Sequence, residues 1–153
     1  MAKAKKTTKS IINRRARYDY QIGDTLIVGL ELTGAETKAL RLGHGNLTGS
    51  YVTIKDNQLY LINGTISGTS AIHIKDEDQT RTRRLLAKRR EIDRLIQTKH
   101  QGQTIIPLEI LTQGRYIKLK IATAQGKKHY DKRETLKQRS AKRQIETKLK
   151  FKR

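Results

Sequence analysis

No cysteine occurs in the 153 residues, which excludes disulfides, thiolate zinc sites and cysteine nucleophiles together. Tryptophan is also absent, and aromatic side chains are confined to six tyrosines and one phenylalanine. Acid is scarce: 14 Asp and Glu stand against 34 Lys and Arg, a net charge of +20. Self-repulsion on this scale is normally offset by a polyanion, either a nucleic acid or an anionic membrane surface. No apolar run approaches the ~20 residues of a membrane-spanning helix. The opening Met1-Ala2-Lys3-Ala4-Lys5-Lys6 is basic, and no hydrophobic signal segment follows it. With the lack of cysteine, this fits a cytoplasmic protein. Hydrophobic residues make up only 35% of the chain, so a modest core with unfolded basic ends is expected.

The motifs of common chemistries are missing as well. His44, His73, His100 and His129 are far apart, and there is no HExxH pair. Neither GxSxG, GxxxxGK[ST] nor GxGxxG occurs. The chain is therefore read as a non-enzyme with no cofactor and no metal. A basic nuclease would need a metal or a nucleophile that the sequence does not advertise.

What is present is positive charge in blocks. The head, residues 1–20, holds seven basic residues and one acid; the tail, 127–153, holds twelve and three; the segment 81–99 holds eight and two. The remainder is nearly neutral. Basic arms on a neutral scaffold suit a protein that touches several elements of a folded RNA. Solubilising tails and one solvated helix face are the plainer reading.

The scaffold reads mainly as β-structure. Leu26, Val28, Leu30 and Leu32 alternate along one strand face. Thr33 and Glu36 have capping-box spacing, predicting a short helix over about 34–42 that stops at Gly43. Tyr51–Ile54 and Leu59–Ile62 are β-rich runs around a polar stretch, Lys55-Asp56-Asn57-Gln58, which predicts a hairpin. A weaker strand is expected within 63–74. Asp76-Glu77-Asp78 suits a helix N-terminus. Leu85, Leu86, Ile92, Leu95 and Ile96 predict one helix over 81–99 with a cationic outer face, closed by Gly102. Thr104–Leu111 and Tyr116–Ala124 read as two further strands, with Pro107 marking an edge or bulge. Ile117, Leu119 and Ile121 face inward, and Tyr116, Lys118 and Lys120 outward. Many short strands in about 100 residues favour a small antiparallel barrel with flanking helices. Beyond Gly126, Leu136, Ile145, Leu149 and Phe151 hint at a helix that charge repulsion should keep unfolded alone.

Specific blocks carry a resemblance. These are Asn13-Arg14-Arg15-Ala16-Arg17-Tyr18-Asp19-Tyr20, Leu32-Thr33-Gly34-Ala35-Glu36-Thr37-Lys38-Ala39-Leu40-Arg41-Leu42-Gly43, Ser50-Tyr51-Val52, Arg81-Thr82-Arg83-Arg84-Leu85-Leu86 with Glu91-Ile92, and Gly126-Lys127-Lys128-His129-Tyr130-Asp131-Lys132-Arg133. In this order and spacing they resemble the bacterial SsrA-binding protein family, also called small protein B. One departure lies in the first strand: Ile27 stands where the family commonly has Glu.

The resemblance implies an oligonucleotide-binding (OB) type barrel over 13–126, between a flexible basic N-terminus (1–12) and a basic tail (127–153). The tail would be disordered alone and helical on the ribosome. It implies a monomer that binds the tRNA-like domain of transfer-messenger RNA (tmRNA). The complex would be delivered to the A site of stalled ribosomes for trans-translation, meeting small-subunit rRNA there and in the mRNA channel. Alanyl-tRNA synthetase and elongation factor Tu would be engaged indirectly, through tmRNA. RNA contacts would fall to Asn13, Arg14, Arg15, Arg17, Tyr18, Lys38, Arg41, Arg83, Arg84, Leu86 and Lys88. Contacts at the decoding site would fall to Lys127, Lys128, Tyr130, Asp131, Lys132 and Arg133. From the residues alone, Asn13 is a helix cap or an RNA contact, Glu36 a capping partner or more, and Leu86 a core residue or a stacking surface for a base. Tyr18 is expected outward and Tyr51 partly buried. The competing function is a structural ribosomal protein with an rRNA-binding barrel.

Overall fold

The alternation seen in the sequence becomes a ring of strands in the computed structural model, which describes residues 10–151. In chain order the elements are β1 (Ile11–Ile12), α1 (Ala16–Asp19), β2 (Tyr20–Leu30), α2 (Gly34–Arg41), β3 (Gly45–Asn46), β4 (Tyr51–Lys55), β5 (Gln58–Ile62), β6 (Thr65–Ile66), α3 (Asp76–Gln79), β7 (Arg83–Leu86), α4 (Arg89–His100), β8 (Thr104–Leu111), β9 (Lys118–Gly126) and α5 (His129–Phe151). All pairings are antiparallel. Strand β8 pairs with both β4 and β9, so the order β8-β4-β5-β7-β2-β9 returns to β8. The result is the small OB-type barrel expected. Closure removes the free edges that an open sheet would expose.

Inward residues fill it. Val28, Leu59, Leu61, Leu85, Ile105, Ile110, Leu119 and Ile121 are buried, joined by Leu40 of α2, Leu47, and Ile92 and Leu95 of α4. Each such side chain contributes about 1.5–3 kcal/mol on burial. A second, smaller cluster lies outside the ring, where Ala16 of α1 packs on Ile106, Leu108, Ala122 and Ala124. Both clusters share β8 because its side chains alternate, Ile105 to the ring and Ile106 and Leu108 to the other face, and the register shift between Pro107 and Glu109, the bulge that proline marked, returns Ile110 to the ring.

Local signals account for most boundaries. Thr33 Oγ1 accepts the Glu36 N–H at 3.3 Å, and Glu36 Oε2 accepts the Thr33 N–H at 2.8 Å, completing the capping box. Asp56 and Asn57 both have positive φ, 49° and 58°, the geometry of a tight two-residue hairpin turn.

The structure differs from the expected elements in three places. Segment 81–99 is not one helix: Arg83–Leu86 is strand β7, and α4 begins at Arg89. Leu85 faces the core while Leu86 faces out, so the two leucines never shared a helical face. The N-terminal arm is shorter than 1–12, because Ile11 and Ile12 pair with Ile110 and Glu109 of β8; residues 1–9 lie outside the described part. The tail is a 23-residue helix here. It contains no Gly or Pro, and Asp131 Oδ2 caps its start by accepting the Lys128 N–H at 3.3 Å.

Candidate nucleic-acid interface

The alternation on β7 sorts its four residues by role. Leu85 is core, whereas Arg84 and Leu86 project outward. Leu86 lies opposite Gly29 of β2. A Cβ built on Gly29 would stand only 3.1 Å from the Leu86 Cβ, so glycine lets the strands meet closely and leaves the leucine uncovered. Ile27, two residues along β2, is 51% exposed, as is Leu86. Across the β2–β9 pairing, Lys118 is opposite Gly29 and Lys120 opposite Ile27. The outer wall therefore shows two uncovered aliphatic side chains rimmed by Arg84, Lys118 and Lys120. Aliphatic surface for bases beside cations for phosphates is a chemical match to RNA. Leu86 is thus not core.

Arg83 points the other way and is fully buried. Its Nη2 lies 2.9 Å from Glu36 Oε1, and its Nη1 donates to the Gly64 carbonyl at 2.6 Å. Nη2 also donates to the carbonyls of Asp78 and Gln79. Arg81 adds a second pairing, with Nη2 2.6 Å and Nε 2.8 Å from the Glu36 carboxylate. Arg83 is therefore corrected from an RNA contact to an internal strut tying α2 to the 64–79 segment. Burial alone would raise the Glu36 pKa; the Arg81 hydrogen bonds, the Thr33 N–H and the Arg83 charge outweigh it and leave it lowered. Glu36 is more than a capping partner.

Asn13 is likewise buried. Its Nδ2 donates to the carbonyls of Leu47 at 3.2 Å and Pro107 at 3.0 Å, and its Oδ1 accepts the Ala16 N–H at 3.2 Å. Direct RNA contact is withdrawn, because the amide is committed inside the protein; the helix-cap reading is corrected too, since the N-cap of α1 is Arg15 and Asn13 instead ties the turn before it to Leu47 and Pro107. Arg41 is also committed: its guanidinium donates to the carbonyls of Thr112, Gly114 and Arg115.

Arg14, Arg15 and Arg17 are exposed around α1, Lys38 is exposed on α2, and Lys88 is exposed just before α4. Tyr18 is half-buried beneath Lys132, whose Nζ lies 5.9 Å from the ring centre. Tyr51 is exposed, the reverse of the expected ranking of these two tyrosines. Beside α1 is a cavity of about 400 Å³ lined by Asn13, Arg15, Tyr20, Ser50 and Tyr51 among others.

The start of the tail is fastened to this same region. The Lys127 N–H donates to the Asp19 carbonyl and Lys127 Nζ to the Arg17 carbonyl, both at 3.0 Å. Lys132 Nζ is 3.2 Å from Asp19 Oδ1, while Arg15 Nε is 3.2 Å from Asp19 Oδ2. Head and tail blocks, more than 100 residues apart, thus form one junction around Asp19. Lys128 and Arg133 are exposed there and Asp131 is half-buried. Tyr130 belongs to the helix backbone, but its side chain lies outside the described residues. Sequence reasoning missed Lys118 and Lys120 as site candidates, although their outward alternation was legible. It also missed Ile27, which drew notice only as a departure.

A closed barrel with a cation-rimmed aliphatic outer wall and a basic helix leaving it has the build of the small RNA-binding barrel proteins. The comparisons narrow this class. The family model described as SmpB protein matches residues 10–151. The chain belongs to that family. It is 43% identical over 143 residues to the SsrA-binding protein of Gloeobacter violaceus, covering 92% of this chain and 94% of the relative. It is 39% identical over 151 residues to the SsrA-binding protein of Clostridium kluyveri, covering 97% and 96%. A chain of the solved structure "tmRNA-SmpB: a journey to the center of the bacterial ribosome" superposes with a TM-score of 0.66 at 38% identity, covering 78% of this chain and 85% of that one. Among the described residues no helix is long and apolar enough to cross a membrane, and no group of three or more His, Asp and Glu could hold a metal.

Proposed function

We propose that this protein binds the tRNA-like domain of tmRNA and carries it to the A site of stalled ribosomes in the bacterial cytoplasm, without catalysing a reaction itself. The observation that carries the reading is the family match across residues 10–151, which spans the barrel, the junction and the basic helix together. The geometry supports a division of labour. The barrel's outer wall takes RNA through Arg84 and Leu86, with Arg14, Arg15, Arg17, Lys38 and Lys88 as further phosphate contacts. Glu36, Arg83 and Asn13 hold that surface rigid from inside.

The basic helix serves the ribosomal step. Eight basic residues against three acids within 129–151 draw it toward rRNA phosphate lining an empty mRNA channel. Leu136, Ile145 and Leu149 are exposed on it, as suits a segment that completes its packing on a partner. Lys127, Lys128, Tyr130, Asp131, Lys132 and Arg133 then fall at the decoding site. A channel filled by message would exclude the helix and so confine rescue to broken messages.

Sequencing the RNA that co-purifies with the full chain tests this reading. A dominant tmRNA species is expected. Stable incorporation into ribosomal subunits through salt washes, with no tmRNA enrichment, would instead identify a structural ribosomal protein.

A further inference from the structure

The β8–β9 hairpin tip, residues 112–117, is built with more care than a solvent loop requires. Tyr116 is its most prominent feature: 68% exposed, the most exposed of the large hydrophobic residues described. The Arg115 guanidinium sits 5.4 Å from the ring centre, so the pair forms a flat, cationic platform. The loop beneath it is held in place. Gly114 has a φ of +90°, a conformation costly for any other residue. The Arg41 guanidinium reaches across from α2 and donates to the carbonyls of Thr112, Gly114 and Arg115 at 3.4, 3.1 and 3.0 Å. An arginine that could have faced solvent is spent on fixing this tip.

Two further observations point to a ligand. A cavity of about 370 Å³ opens under the tip, lined by Ser10, Leu111, Thr112, Tyr116 and Lys118 among others. Thr112 is one of its lining residues, is buried to 1% exposure, and its hydroxyl has no hydrogen-bond partner among the described residues. A buried unpaired hydroxyl is costly unless a ligand group completes it. The tip is also continuous with the outer wall, because it leads straight into β9, where Lys118 and Lys120 lie opposite Gly29 and Ile27, beside Leu86.

We infer that the tip is a second base-recognition element. Tyr116 stacks on an unpaired base of the bound RNA, and Arg115 and Lys118 hold its phosphates. Arg41 is the positioning residue that keeps the platform aimed. Cationic surroundings favour RNA over an apolar protein segment, since only Glu109 supplies a negative charge to the cavity wall. This rests on the RNA-binding reading above and extends it to a hairpin tip outside the expected RNA-binding residues.

The test uses the full chain and in vitro transcribed tmRNA, with a scrambled transcript of equal length as control. Tyr116→Ala should weaken tmRNA binding about 5- to 150-fold, the range of one lost base stack. Tyr116→Phe should bind nearly as wild type, because it keeps the ring. Tyr116→Ala should leave the salt dependence unchanged, whereas Lys118→Ala should lower the log–log salt slope by about 0.7–0.9. Arg41→Ala should weaken binding as Tyr116→Ala does, and the double variant should be no worse than either alone. Unchanged tmRNA affinity in Tyr116→Ala, with an unchanged melting temperature, would overturn the inference. So would an equal loss in Tyr116→Phe. If wild-type protein holds tmRNA no better than the control, the functional reading fails; the tip inference then stands or falls on the same Tyr116 comparison with the control transcript.

Discussion

The barrel and the helix that leaves it solve opposite problems. In the barrel, Leu119 and Ile121 are fully buried, and even a charged pair is taken inside as Glu36 with Arg83. In α5, Leu136, Ile145 and Leu149 are 47–63% exposed. Among the described residues, no buried hydrophobic side chain lies beyond Ala124. The barrel thus carries its own folding free energy, while α5 rests on local helix propensity and on a few polar contacts at Asp19. Isolated helices gain little without a packed face, and like charges oppose them. Two adjoining segments of one chain therefore answer differently to mutation, acid and binding.

The largest expected effect is at the buried charges. Glu36→Ala should destabilise the protein by about 3–5 kcal/mol, because Arg83 is left without its counter-charge in the interior. Chemical denaturation of the two proteins measures it; a loss below 1 kcal/mol would mean that the Arg83 carbonyl contacts suffice. Next, Leu119→Ala should cost about 2–5 kcal/mol, whereas Leu149→Ala should leave the unfolding midpoint of the free protein within about 0.5 kcal/mol. Equal losses would dissolve the contrast between the two regions.

Acid sharpens the same comparison. The Glu36 carboxyl has a lowered pKa in the folded state, so its contribution to stability is present above the unfolded value, about 4.3, and fades as pH falls through the folded value. Stability should decline below about pH 4.3, and the decline should be shallower in Glu36→Gln. A parallel decline in both proteins would assign it to other carboxylates. Smaller again is the cap: Thr33→Ala should cost about 1 kcal/mol, read by thermal unfolding. Smallest is the junction. Lys132→Ala removes a partly exposed ion pair with Asp19 and should cost no more than about 1 kcal/mol of stability, with faster amide exchange in the first turns of α5 as its signature.

The sequence made most of the barrel legible where one rule governed one residue. Thr33 and Glu36 announced a cap, Lys55-Asp56-Asn57-Gln58 announced a turn, and Ile117, Leu119 and Ile121 alternated as a strand with one buried face must. It misled where a residue type contradicted its environment. Arg83 occupies an inward strand position, and an inward arginine does not register as core, so Leu85, Leu86 and Ile92 were grouped as a helix instead. The partner that makes burial tolerable, Glu36, lies 47 residues away, and no local pattern joins them. Asn13 hid in the same way, its three hydrogen-bonding groups being satisfied at 16, 47 and 107. Arg84 and Leu86, expected on a helix, are exposed on β7 instead, and Arg14, Arg15, Arg17, Lys38 and Lys88 are exposed as well. The helical tail follows from the lack of Gly and Pro after Gly126, a signal that the charge argument had outweighed.

The division between a self-sufficient RNA-gripping barrel and a partner-dependent helix is tested most directly by truncation after Gly126. The account predicts that the shortened protein keeps tmRNA affinity within about 1 kcal/mol of the full chain, since only distant phosphate attraction is lost, but no longer supports tagging of nascent chains on stalled ribosomes. A truncated protein that tags at the normal rate, or one that loses tmRNA binding while its barrel remains folded, would contradict it.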